Sequence, residues 1–80
     1  MSDTHHKFRL ANDPDTEFLQ LEDLADSQDE MIRGAVALNP SATTSILIKL
    51  FLDDSEYVQE CLRKRNDTKH KEEGMPSRKK

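Results

Sequence analysis

A 26-residue period constrains this chain more than any other feature. Leu21, Leu24 and Ala25 recur as Leu47, Leu50 and Phe51, and Ile32, Ala35 and Val36 recur as Val58, Cys61 and Leu62. Ahead of each pair, Leu10-Ala11 with Pro14 recurs as Val36-Ala37 with Pro40. A fixed period of this length points to stacked units, each too small to bury its apolar face except on its neighbour. The period sets how the chain is built. It leaves open what the surface binds, because cores do not specify surfaces.

Within each triplet the spacing is i, i+3, i+4, which puts all three side chains on one helix face. The intervening segments carry cap chemistry. Ser27 before Gln28-Asp29-Glu30 suits an N-cap with an acidic first turn, and Asp53-Asp54-Ser55-Glu56 offers the same one period later. Pro14 and Asn39-Pro40 mark the other helix starts and stops. The pattern predicts four helices, over residues 14–25, 28–38, 43–52 and 55–65. The fold class is therefore all-α, a short helical-repeat solenoid of about four helices in two 26-residue units. With no Trp, one Tyr and three Phe, its core must be mostly aliphatic. Residues 1–9 read as a flexible N-terminus, 10–65 as the repeat domain and 66–80 as a disordered basic tail.

The stretch from Leu24 to Pro40 resembles the leucine-rich repeat variant, a bacterial helical repeat of the armadillo and HEAT kind. Units of that family read Leu-Ala-x-Asp, then a Val-Arg pair, then Val-Ala-x-Asn-Pro. Leu24-Ala25-Asp26, Ile32-Arg33 and Val36-Ala37-Leu38-Asn39-Pro40 follow the pattern over about two units, residues 10 to 62. The second unit departs from it: Gln59 replaces the Arg, and Leu62-Arg63-Lys64-Arg65 replaces the Val-Ala-x-Asn segment. Ser27 stands where the family usually has Asp, and Thr44 where it often has Pro. The resemblance implies a right-handed helical solenoid. An iron–sulfur cluster, known in one member, does not carry over, since such clusters need several Cys and only Cys61 exists.

No catalytic constellation stands out. The chain lacks a glycine-rich phosphate loop, a metal-spaced Cys/His cluster and a nucleophile–base pair, so the expectation is a non-enzyme with no cofactor. His5-His6 is a poor metal site in a floppy segment, and Cys61 falls at a core position. The longest apolar run, Ile46 to Leu52, is interrupted by Lys49 and is far short of the roughly 20 residues that span a bilayer. With no signal-peptide stretch and a single Cys, a cytoplasmic location is expected.

Charge and one asymmetry point to partners. Net charge is −4, yet Met1–Leu62 carries −9 and Arg63–Lys80 carries +5. The acidic body reads as a solvated face with N-terminal helix charges, as a mimic of nucleic acid, or as a receiver of basic partners. The tail, with Arg63, Lys64, Arg65, Lys69 and Lys71, reads as a solubilising end, as a phosphate contact, or as a strap lying across the acidic body. In register, Gln20, Glu22 and Asp26 of the first unit stand opposite Ile46, Ile48 and Leu52 of the second. A helix apolar nearly all round is buried on more than one side. Its second face is covered by the chain itself, by a second copy as a homodimer, or by another protein. The sequence thus predicts a protein–protein interaction module with contact surface Ile46, Ile48 and Leu52, joined by Leu19 and Leu38. The alternative is a nucleic-acid-associated protein acting through the tail.

Overall fold

The computed structural model describes the backbone of residues 3–73 and the side chains of residues 4–65. It is all-helical, with no strand among the described residues: α1 (Asp3–Asn12), α2 (Phe18–Leu24), α3 (Glu30–Leu38), α4 (Thr44–Phe51) and α5 (Glu56–Glu73). Helix α3 is central, packed on α1 at one side and α5 at the other. Its close approach to α5 depends on Gly34, where an added Cβ would stand 2.5 Å from Tyr57 Cε2 and 3.0 Å from Cys61 Sγ. No larger residue fits there without displacing the Tyr57 ring.

The ends of the helices follow from local chemistry. Pro14 and Asp15 lie in a turn rather than in α2, because Asp13 Oδ1 accepts from Asp15 N–H and the Thr16 hydroxyl donates to the Leu10 carbonyl at 2.7 Å. That delays α2 from the expected residue 14 to Phe18. Before α3, Ser27 Oγ accepts from Asp29 N–H, and Asp29 Oδ1 in turn accepts from Met31 N–H at 2.9 Å. Asp29, not the expected Ser27, is the N-cap. The arrangement returns before α5 with the residues exchanged: Asp53 Oδ1 accepts from Ser55 N–H, and Ser55 Oγ accepts from Val58 N–H. Thr43 caps α4.

Two further contacts recur at the same interval. Asn39 Nδ2 donates to the Ala11 and Asp13 carbonyls at 2.8 and 3.0 Å, tying the C-terminus of α3 to that of α1. Arg65 Nη1 donates to the Ala37 and Asn39 carbonyls at 2.8 and 2.9 Å, every partner being 26 residues further on. Likewise Arg33 donates to the Ser27 carbonyl and Gln59 to the Asp53 carbonyl. The Ala11 and Ala37 carbonyls lie in the last turns of α1 and α3, where intrahelical partners run out, and the other acceptors lie in the loops that follow helices. Among the described residues, no buried side-chain nitrogen or oxygen lacks a partner.

One core joins all five helices: Ala11, the triplets 21/24/25, 32/35/36 and 58/61/62, and Ala37, Ala42, Ile46 and Leu50. The triplet 47/50/51 departs from expectation. Ile46 and Leu50 are fully buried, Leu47 is half-buried, and Phe51 is 53% exposed. The equivalent of Phe51 one period earlier is Ala25, which is buried. An alanine-sized site does not admit a phenyl ring, so α4 presents Ile46 to the core instead.

Two boundaries are also corrected. Residues 3–12, expected as flexible up to residue 9, form α1, with Phe8 and Leu10 packed on the core. Helix α5 continues to Glu73, beyond the expected end at 65, and residues 74–80 of the expected basic tail lie outside the described residues. No helix among the described residues is long and apolar enough to cross a membrane.

Candidate protein-binding site

Helix α4 is eight residues of Thr-Ser-Ile-Leu-Ile-Lys-Leu-Phe, with one face taken by Ile46 and Leu50. Residues at i, i+3 and i+4 on the other face are Ile48, Phe51 and Leu52, and they are 56%, 53% and 79% exposed. These three form a contiguous apolar stripe by helical spacing. Single exposed hydrophobes are ordinary on any protein, so the grouping of three is what sets this face apart. Leu52 closes the helix, and Asp53 and Asp54 follow it directly.

The ion pairs around α4 hold it in place. Arg33 of α3 grips Asp53 with two nitrogens, Nε to Oδ2 at 2.6 Å and Nη2 to Oδ1 at 3.1 Å. Burial of Asp53 works against its charge, yet the Arg33 hydrogen bonds, the Ser55 N–H and the positive charge outweigh it and hold the carboxyl below its ordinary value. The Arg33 guanidinium is raised in turn, chiefly by its hydrogen bonds to Asp53. At the surface, Lys49 Nζ meets Asp26 Oδ2 at 3.1 Å, which brings a carboxylate from the end of α2 beside the stripe.

The expected contact residues divide. Ile48 and Leu52 lie on the exposed face as anticipated. Ile46 does not: it is wholly buried, because α4 turns the face of Ile46 and Leu50 to the core and leaves Phe51 outside. Leu19 and Leu38 are exposed but sit elsewhere, on the first turn of α2 and the last residue of α3. The spacing of Phe51 predicts a core position, whereas Phe51 is 53% exposed. Its signal was the size mismatch with Ala25 at the equivalent position.

The expected phosphate-contact residues are also separated. Arg65 is spent on the Ala37 and Asn39 carbonyls, and burial pushes its guanidinium below its ordinary value. Arg63 pairs with Glu60 at 3.0 Å, one helical turn away on α5. Lys64 is exposed on α5, and the side chains of Lys69 and Lys71 lie outside the described residues. Other groups offer little chemistry. Cys61 is buried as a free thiol, and burial raises the neighbouring Tyr57 hydroxyl, helped by its hydrogen bond to Cys61. Among the described residues, no group of three His, Cys, Asp or Glu is placed to hold a metal ion.

One cleft of about 400 Å³ opens beside α1, lined by Lys7, Asp23, Asp26, Ser27 and Asp29 among others. Lys7 and Ser27 stand 26 residues before Arg33 and Asp53. Where the later pair closes the gap with an ion pair, the earlier pair of residues leaves it open.

Comparison with protein families, with curated proteins and with solved structures found no match.

Proposed function

We propose that this chain is a short helical-repeat solenoid that binds another protein through the apolar face of α4 and carries out no catalysis itself. The observation behind this reading is that α4 has two apolar faces and only one is covered: Ile46 and Leu50 are in the core, while Ile48, Phe51 and Leu52 face outward. The recurrence of the Asn39 and Arg65 contacts at a 26-residue interval supports the solenoid and its likeness to the leucine-rich repeat variant. A cytoplasmic setting fits the single buried thiol.

Burying the exposed parts of the three side chains, 56%, 53% and 79%, contributes on the order of 3–6 kcal/mol, since full burial of each is worth about 1.5–3 kcal/mol. That is enough to anchor an interface. The pair Ile48→Glu with Leu52→Glu is expected to abolish association with the protein partner and leave helix content, read by circular dichroism, intact. Collapse of helicity would show that the two side chains belong to the core and end this reading.

A further inference from the structure

The charges around the stripe select the chemistry of its partner. Between Asp13 and Glu60 the chain holds twelve Asp and Glu against two bases, a net charge of −10. Both bases are engaged internally, Arg33 with Asp53 and Lys49 with Asp26. The segment that presents the stripe thus offers a partner negative charge almost alone. Of the carboxylates beside the stripe, Asp26 and Asp53 are compensated by Lys49 and Arg33, so the local negative charge open to a partner is that of exposed Asp54, two residues after Leu52.

We infer that the stripe takes an amphipathic helix whose apolar side chains are flanked by Lys and Arg. An apolar stripe on a short helix is matched by another helix carrying anchors at i, i+3, i+4 and i+7. Acidic surroundings select basic flanks, speed encounter with them and disfavour acidic competitors. The same field argues against a second copy of this chain, because an isologous contact would bring two such acidic segments face to face. The chain's own basic end does not supply the occupant either, since from Asn66 to Lys80 its only large apolar residue is Met75.

This inference rests on the binding role proposed for α4 and adds the sign of the partner. The test uses the full chain and three labelled peptides of ~18 residues, long enough to form a helix across the stripe. One carries a Leu stripe with Lys flanks, one the same stripe with Glu flanks, and one the Leu/Lys composition scrambled. Fluorescence anisotropy is expected to show 1:1 binding of the first, about tenfold or more tighter than either control. That binding should weaken as salt is raised and fall about tenfold in Ile48→Ser with Leu52→Ser.

Equal binding by the scrambled peptide, or by the double variant, would overturn the inference as mere charge attraction. Tighter binding of the Glu-flanked peptide, lost in the double variant, would overturn the sign while leaving α4 as the binding face. A dimer in light scattering that the double variant renders monomeric would assign the face to a second copy. No binding by any peptide to a monomeric chain would overturn the partner class together with the binding role.

Discussion

At the scale of single residues, the Arg33–Asp53 pair is the most informative polar contact. Side-chain exposures of 18% and 12% put it mostly out of water, where charge-assisted bidentate bonds are strong and screening is weak. Removing the Asp53 charge by Asp53→Asn keeps an oxygen for Ser55 N–H and leaves Arg33 short of its partner. The expected cost at neutral pH is about 2 kcal/mol, typical of a hydrogen bond to a charged group. Because folding lowers the Asp53 carboxyl, its stabilisation is complete above the unfolded-state value, about 3.9, and is lost as pH falls through the lower folded value. Melting curves of both proteins across acidic pH should therefore converge at low pH. A constant gap at every pH would show that the charge of Asp53 is not what the pair uses.

At the scale of helices, the interval of 26 residues relates polar contacts as well as apolar ones, and the open cleft beside α1 tests how far this extends. Arg33 and Asp53 tie α3 to the start of α5; Lys7 and Ser27 occupy the same places between α1 and the start of α3. The double change Lys7→Arg with Ser27→Asp should install the missing ion pair. Asp at 27 retains an acceptor for Asp29 N–H, as Asp53 does for Ser55 N–H. The expected gain is about 1 kcal/mol, a rise of about 4–8 °C in Tm for a domain of this size, and each single change should give less. No gain would mean that α1 does not stand to α3 as α3 stands to α5.

Much of this element level was legible in the sequence. Three of the four triplets are buried as their spacing predicts. The fourth failed because side-chain volume overrides periodicity: Phe51 is too large for the place that Ala25 takes, and Ile46 moves inward. Helix α1 leaves little trace in the sequence, because Thr4 to Arg9 contains one apolar residue, Phe8, and the helix is held by packing against α3. Its one sequence signal is the 26-residue register, which places Thr4–Ala11 one period before Glu30–Ala37. The stripe at Ile48 and Leu52 was visible in the sequence. The roles of Asn39 and Arg65 in binding carbonyls across helix ends were not, because hydrogen bonds over 26 and 28 residues leave no local pattern.

For the whole molecule, the helical body from Asp3 to Arg65 carries thirteen Asp and Glu against seven Lys and Arg, a net charge of −6, and this sets how stability responds to salt. A compact body with one dominant sign of charge repels itself, and dissolved ions screen that repulsion beyond about 10 Å at ~0.1 M. The Arg33–Asp53 attraction is shielded from the same ions by burial, so the repulsive part is screened more than the attractive part. Raising sodium chloride from ~10 to ~150 mM is therefore expected to increase Tm by a few degrees. Cutting the chain after Arg65 keeps the contacts of that residue to Ala37 and Asn39, and the same salt dependence should persist. A Tm that falls with salt in the full chain, and ceases to fall after the cut, would reverse the picture. It would mean that the basic end lies across the acidic body and holds it by attraction, and that a basic helix seeking the α4 stripe must first displace the chain's own charges.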